Sequence, residues 1–208
     1  VLACCDNENL KTSLPVMQAE LEKCQKSLDG YLEAKRARFP RFYFVSDSVL
    51  LIILSQGSDP LTVNDHYDAL FDALSFVDHD KKDKTIIHSF HGTGGPGHDV
   101  IKFVEKVKAV GNLEDWLCTL VKAMQITVKD LTRSAASQIA SQGTDITQLR
   151  SFVDANIAQL ALLGIQMMWT TDTQGSSDVC RVKKNQMKEC NQRQLAVLTE
   201  ISSWCLQD

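Results

Sequence analysis

The chain has 208 residues, of which 44% are hydrophobic and 23% charged, a composition typical of folded globular proteins with a core of their own. Its net charge of −4 gives no overall basic field of the kind that binding to nucleic acid or anionic lipid uses. No apolar run approaches the ~20 residues that a membrane-spanning helix needs.

The two ends and the cysteines suggest where the chain comes from. It begins at Val1 without an initiator methionine and ends at Asp208 within helix-like sequence, so we expect a piece of a longer polypeptide, cut at both ends. Its seven cysteines, an odd number, include no C-x-x-C pair. This spacing predicts reduced, mostly buried thiols in a cytosolic protein rather than a disulfide framework or a zinc site.

The first element is predicted to be a long amphipathic helix. Apolar residues recur at spacings of three and four and form what we call the 10–31 seam: Leu10, Leu14, Met17, Leu21, Cys24, Leu28 and Tyr31. We expect Ser13 as N-cap and Pro15 in the first turn, with the helix running to Arg38. The seam suits a coiled coil or a helix packed along a bundle, and about three heptads favour the bundle.

A rigid corner is predicted where this helix ends. Cations in the last turn complement the helix dipole, namely Lys35, Arg36 and Arg38. Pro40 stops the helix because it lacks an N–H and holds Phe39 out of the helical region. Three aromatic side chains that we expect to be buried follow the stop, namely Phe42, Tyr43 and Phe44.

After the corner, the pattern predicts two short helices and then strands. Ser46–Ser48 is an N-cap cluster for a buried helix that ends at Gly57, and a second helix with a broken first turn is expected over Leu61–Leu74. Segments 75–77, 85–90 and 100–104 are β-branched and aromatic, and a charged turn and a glycine loop separate them. They predict a small antiparallel sheet, or at least a hairpin over residues 85–104.

The rest of the chain is predicted to be helical. We expect one helix from Leu113 to about Ala140, a second from the N-cap Asp145 to Trp169, a polar link at 174–177 and a last helix from about Asp178. The predicted fold class is therefore mainly α, an elongated multi-helix arm with a small antiparallel sheet inserted at about residues 75–104. The predicted division is a helical part at 1–74, the β insert at 75–104 and a helical part at 105–208.

Three stretches could carry chemistry or binding. The glycine loop of residues 91–98 resembles a phosphate cradle, but the lysine and serine or threonine of a P-loop are absent, so a hairpin loop is favoured. His88, His91, His98 and Asp99 could suggest a metal site, yet His88 and His91 should lie on opposite faces of a strand. The basic cluster of Lys35–Arg38 with Arg41 fits helix-end electrostatics first and docking to an acidic protein second. We assign no catalytic, cofactor-binding or metal-binding residue.

Several segments resemble the linker region of dynein heavy chains. The most specific is the sequence from Leu21 through the Phe-Pro-Arg-Phe-Tyr-Phe-Val-Ser run of residues 39–46. Gly111–Leu117 is similar to the next recognisable segment of that family, and Ile165–Thr170 resembles a third. The amino-acid sequence of residues 27–46 resembles axonemal (ciliary or flagellar) dyneins more than cytoplasmic ones.

The resemblance implies a microtubule motor whose AAA+ ring, with ATP and Mg²⁺, follows the linker. This chain would be the ring-proximal part of a helical arm that carries force from the ring to the tail, driving ciliary beating if axonemal. It contains no Gly-x-x-x-x-Gly-Lys-Ser/Thr, so the hydrolytic site is expected elsewhere in the parent. The implied partners are the ring and tail of the same heavy chain and other dynein subunits, with microtubules reached only through the parent chain, in the cytoplasm, the cytoskeleton and the axoneme.

Two other functions remain open from the sequence. The 10–31 seam could bind a partner helix, which would make the chain a static scaffold or adaptor. Residues 88–99 could instead serve a nucleotide- or metal-binding enzyme.

Overall fold

A computed structural model describes residues 8–57, 59–92, 99–142, 145–180, 183 and 185–204. The chain divides into two compact units, Val1–Ala123 and Met124–Asp208. Three of the seven cysteines lie outside the described residues, at positions 4, 5 and 205. Of the other four, Cys190 is buried, Cys118 and Cys180 are half-buried, and Cys24 is exposed.

The fold is mainly α with one small antiparallel sheet, as the sequence predicts. The first unit contains α1 (Glu8–Arg38), a 3-10 helix (Pro40–Phe44), α2 (Asp47–Gln56), a second 3-10 helix (Thr62–His66), α3 (Tyr67–Leu70), β1 (Phe76–His79), β2 (Ile86–His91) and β3 (Val100–Lys108). The boundary between the units falls within α4 (Leu113–Gln142). The second unit adds α5 (Ile146–Ala155), α6 (Ala158–Cys180) and α7 (Gln186–Trp204). No helix within the described ranges is long and apolar enough to cross a membrane.

Helix α1 begins earlier than predicted. It starts at Glu8, so Pro15 lies inside the helix rather than in its first turn. Ser13 is not the N-cap, because its hydroxyl donates to the Asn9 carbonyl (2.7 Å) as in a helix interior. The Glu8–Lys11 ion pair supports the added turns, and Pro15 costs them a single backbone hydrogen bond.

The 10–31 seam is exposed. From Glu8 to Tyr31 every residue except the half-buried Ser13 is solvent-exposed, Leu21 by 69%. The expected packing of this helix along a bundle is therefore wrong for the part of the chain that the structure describes. Periodicity marks apolar positions along the helix, but it does not specify which element, if any, covers them.

Capping determines where α2 begins, and an extended residue ends α3 early. Ser46 is the N-cap of α2 and accepts a hydrogen bond from the Val49 N–H, as predicted. The helix expected over Leu61–Leu74 is instead a 3-10 helix and one α-helical turn that stop at Leu70. Phe71 is extended (φ −136°, ψ 132°), which directs its ring into an aromatic cluster.

The sheet has the order β1-β2-β3 with antiparallel neighbours. Val77 pairs with Phe90, and Phe90 pairs with Ile101, which confirms the three predicted strands. Strand β3 runs on to Lys108, beyond the predicted end at 104, because Ile87 pairs with Val107. The loop between β2 and β3 includes residues 93–98, which lie outside the described part of the chain.

The second unit has its own core, formed by α4, α5, α6 and α7. Its buried members are Ala135, Ile139, Leu149, Phe152, Leu160, Ala161, Met168 and Val197. Asp145 caps α5 by accepting from the Thr147 N–H (2.9 Å), as predicted. The single helix expected from there to Trp169 is broken at Asn156, which is extended and whose Nδ2 donates to the Phe152 carbonyl (2.8 Å). That side chain caps α5 although the apolar periodicity continues.

The polar stretch at 174–177 is not a link. It lies within α6, which continues to Cys180, and the last helix begins at Gln186 rather than near Asp178. Polar residues do not by themselves break a helix, and Ser176 is buried within it. Gln194 of α7 donates to the Trp169 carbonyl (3.1 Å), and Arg193 pairs with Asp172 (3.2 Å), so α6 and α7 form a hairpin.

Candidate functional site

The corner at the end of α1 is the best-defined polar and aromatic constellation of the first unit. Helix α1 ends at Arg38, Phe39 is extended (φ −130°, ψ 91°), and Pro40 opens the 3-10 helix. The Val45 N–H donates to the Phe42 carbonyl (3.4 Å), which closes the turn. The predicted helix stop at Pro40 is confirmed.

An aromatic cluster lies beneath the corner. Phe39 and Phe42 meet edge to face with ring centroids 5.0 Å apart, and Phe71 lies 6.5 Å from Phe39. Tyr67 is 6.0 Å from Phe71 and fully buried, and its hydroxyl has no hydrogen-bond partner among the described residues. Burial raises the pKa of this phenol. Such close-packed rings resist bending at the corner.

Only part of the predicted aromatic burial is found. Phe42 is fully buried, but Tyr43 and Phe44 are exposed, Phe44 by 73%. Because consecutive residues of a 3-10 helix point in different directions, one short turn cannot bury all three rings. Phe39, for which the sequence predicted a non-helical backbone but no burial, is buried in their place.

Glu114 fastens the end of α1 to the first turn of α4. Its side chain is 1% exposed, and its Oε1 accepts from Lys35 Nζ (2.7 Å) and from Arg38 Nη1 (3.3 Å). Burial is the largest single influence and disfavours the charged carboxylate. The hydrogen bonds from Lys35, from the backbone and from Arg38, with the charge of Lys35, together outweigh it, so the pKa of Glu114 lies below its usual range. A second link joins the same helices, since Cys118 Sγ contacts the Arg38 carbonyl (3.7 Å).

The other two cations of the corner are also committed within the fold. Arg36 pairs with Asp47 and reaches the Val45 carbonyl (3.5 Å), while its guanidinium lies 5.7 Å from the Tyr43 ring centre. Arg41 donates to the Leu70 carbonyl (3.3 Å) and stacks over a ring of the aromatic cluster (4.6 Å). The basic residues of the corner therefore form ion pairs, hydrogen bonds and cation–π contacts within the fold.

The histidines of the sheet form separate pairs rather than one site. His88 Nε2 contacts Asp80 Oδ2 (2.8 Å), whereas His91 Nε2 contacts Asp78 Oδ2 (2.6 Å). Ser89 donates to the same Asp78 oxygen (2.5 Å), so serine and histidine share an acceptor and do not form a nucleophile–base pair. The predicted location of His88 and His91 on opposite faces is consistent with their different partners.

The remaining members of the suggested metal or phosphate site cannot be placed. His98 and most of the glycine loop belong to residues 93–98, outside the described chain, and Asp99 stands at its edge with φ 40°. Within the described ranges, no three His, Cys, Asp or Glu side chains lie close enough together to hold a metal ion.

The sequence did not reveal the pairing of Glu114 with Lys35, which lies 79 residues away. The signal that could have found it is the resemblance itself, because the two most specific segments, around 27–46 and 111–117, meet at this ion pair.

Comparison with known proteins identifies the family. A model of the region described as "Dynein heavy chain, N-terminal region 2" matches residues 1–135. The chain belongs to the dynein heavy chain family. It is 38% identical over 209 residues to human dynein axonemal heavy chain 8 and 38% identical over 210 residues to rat dynein axonemal heavy chain 5, in both cases across its full length.

The axonemal type of this dynein heavy chain region is supported by a third relative. The dynein gamma chain of the flagellar outer arm of Chlamydomonas reinhardtii is 38% identical over 199 residues, which is 95% of the chain. The chain spans 4% of the length of that relative and of the human one, and 6% of the rat one. The matched region includes α1, the corner and Glu114 of α4.

Proposed function

We propose that this chain is a section of the linker of an axonemal dynein heavy chain, and that it transmits force between an ATP-hydrolysing ring and the tail of the same polypeptide. The observation that carries the proposal is the pair of ion pairs from Glu114 to Lys35 and Arg38, which holds the end of α1 against the start of α4. A lever needs such joints, because a helix that pivots freely at its end cannot pass on a displacement.

The proposed role places the chemistry outside this section. ATP and Mg²⁺ would bind in the ring of the parent chain, and microtubules would be reached through that parent. The ring, the tail and the other subunits of a dynein complex would be the partners, in the axoneme of a cilium or flagellum.

Energy transfer between two dyes tests the proposal directly. In the parent heavy chain, a donor at the exposed Lys23 of α1 and an acceptor in the ring would report the distance between them with and without ATP. A linker predicts a distance that changes with the nucleotide state. A control pair at Lys23 and Lys106, both in the first unit, should give a constant signal.

A constant signal from the ring-directed pair during ATP hydrolysis would contradict the linker role. It would favour the second candidate, a static scaffold that binds a partner helix. The exposure of the 10–31 seam is the observation that keeps this alternative in view.

A further inference from the structure

The last two turns of α1 attach this helix to the rest of the first unit. Its residues from Glu8 to Tyr31 are exposed, apart from the half-buried Ser13, whereas Leu32 in the next position is 1% exposed. The direction in which the exposed part of α1 leaves the corner is therefore set by Leu32 and by the polar side chains that follow it.

One side of Leu32 faces α4. Each residue advances about 100° around an α-helix, so Lys35 and Arg38 lie about 60° and about 120° from Leu32 in one direction. Both side chains bind the buried Glu114 at the start of α4. We call this pair of residues the α4 flank of the helix.

The opposite side of Leu32 carries Glu33 and Arg36. They lie about 100° and about 40° from Leu32 in the other direction, and we call them the Tyr43 flank. The Tyr43 hydroxyl donates to Glu33 Oε1 (2.5 Å), and the Arg36 guanidinium lies 5.7 Å from the centre of the same ring. Arg36 also pairs with Asp47 at the start of α2. The Tyr43 flank thus joins α1 to the 3-10 helix and to α2.

The hydrogen bond from Tyr43 to Glu33 forms although both residues are exposed. Tyr43 is 55% exposed, so its hydroxyl has water available and still donates to the carboxylate. That hydrogen bond is the main reason why the pKa of Tyr43 is raised, and the nearby charge of Arg36 opposes it. The phenol therefore keeps its proton, and remains a donor, at neutral pH.

We propose that Tyr43 is a positioning residue that fixes the direction of α1. The contacts on the two flanks oppose each other, because a swing of α1 towards α4 lengthens the distance from Glu33 to Tyr43, and a swing the other way strains the ion pairs of Glu114. Without the Tyr43 hydroxyl, α1 stays attached through the α4 flank and is free to swing about it. The inference concerns the fold of the first unit and does not depend on the proposed linker role.

Double electron–electron resonance on the whole chain tests the proposal. Spin labels on genetically encoded amino acids at the exposed Lys23 of α1 and Gln56 of α2 report the distance between the two helices and leave the seven cysteines unchanged. We expect one narrow distribution of distances in the wild type. In Tyr43→Phe the ratio of displaced to undisplaced α1 should rise roughly twofold to fivefold, the effect typical of losing an exposed polar contact.

The matched control is Tyr31→Phe. It removes the hydroxyl of another exposed tyrosine of α1 and keeps the ring, whose centre lies 5.5 Å from Lys35 Nζ. This variant should give the wild-type distribution. Glu33→Ala, which removes the acceptor, should broaden the distribution as Tyr43→Phe does, and the double variant should broaden it no further because both changes remove the same contact.

An unchanged distribution in Tyr43→Phe would overturn the proposal, as would equal broadening in Tyr31→Phe or broadening that adds up in the double variant. The midpoint of urea unfolding separates direction from stability, since the loss of an exposed contact should hardly move it. A midpoint that falls in Tyr43→Phe as far as in Glu114→Gln would also overturn the proposal, because Tyr43 would then support the whole unit rather than the direction of α1.

Discussion

Glu114 connects two helices through a single carboxylate. Its replacement by glutamine tests the contribution of the negative charge while the size of the side chain stays the same. The Glu114→Gln change keeps the size of the side chain but removes the negative charge that Lys35 and Arg38 share. We expect unfolding to become easier by roughly 1–3 kcal/mol, the usual range for lost hydrogen bonds to charged groups. Urea denaturation of the chain measures this.

The exposed Glu20 of α1 supplies the control for that measurement. Glu20→Gln changes the net charge equally and should leave the midpoint of unfolding almost unaltered. Equal midpoints for both variants would mean that the buried ion pair gives no net stability, as happens when desolvation cancels attraction.

Gly164 is the glycine of α6 that has no room for a side chain. A Cβ there would stand 2.5 Å from Cζ of the buried Phe152. We expect Gly164→Ala to destabilise the second unit by roughly 1–3 kcal/mol, the usual cost of overpacking. Thermal unfolding followed by circular dichroism gives the result.

The same helix contains a control glycine in open space. At Gly175 an added Cβ has no neighbour within 4 Å among the described residues, so Gly175→Ala should stabilise α6 by about 0.5–1 kcal/mol through helix propensity. If both alanine variants were stabilised alike, the close contact between α5 and α6 would be wrong.

Local residue chemistry was readable from the sequence, and distant pairing was not. Ser46 and Asp145 were predicted as caps because a cap acts on the next few residues. Glu114 meets Lys35 only because the chain folds back over 79 positions. The exposure of Phe44 was missed for a similar reason, since burial depends on what surrounds a turn as well as on the side chain itself.

At the scale of elements, the sheet contains a histidine whose pKa is lowered by burial. His79 Nδ1 contacts the Lys84 carbonyl (2.6 Å), so Nδ1 carries the hydrogen, and Nε2 is buried without a partner in the part of the chain that the structure describes. Burial lowers the pKa of His79 below its usual 6.5, in spite of that carbonyl and the charges of Asp59 and Asp78.

The sign of the resulting pH dependence follows from proton uptake. The unfolded chain binds a proton at His79 near pH 6.5, and the folded chain does so only at lower pH, so stability is complete above 6.5 and falls as the pH drops below it. We expect His79→Gln to flatten this part of a plot of unfolding free energy against pH. The Lys82→Gln variant should keep the wild-type slope, and an unchanged slope in His79→Gln would contradict the assignment.

Boundaries of helices and strands were predicted well where a residue restricts the backbone, as proline and β-branched residues do. They were predicted poorly where the polarity of the side chains was the only criterion. Pro40 ends α1 and the β-branched segments form strands, as expected. Asn156 breaks a continuous apolar pattern with a side-chain cap, and the polar stretch at 174–177 stays helical. Propensity is a weak guide at such points, because one tertiary or capping contact outweighs it.

At the scale of the whole molecule, the sequence segments that mark the dynein family are also the ones that build the joint. The stretch 27–46 supplies the cations and the buried aromatics, and 111–117 supplies Glu114 and the buried Trp116. A packed joint resists deformation, so load applied to one helix passes to the other rather than being absorbed as bending. In the proposed linker, softening this joint should reduce the movement obtained from each ATP.

The ratio of microtubule gliding velocity to ATP turnover in the parent motor tests this claim most directly. A motor with Glu114→Gln should hydrolyse ATP at the normal rate and move microtubules more slowly, while Glu20→Gln should match the wild type in both. Normal gliding by a Glu114→Gln motor, or a velocity that falls only in proportion to its ATPase rate, would contradict a role of the corner in transmitting force.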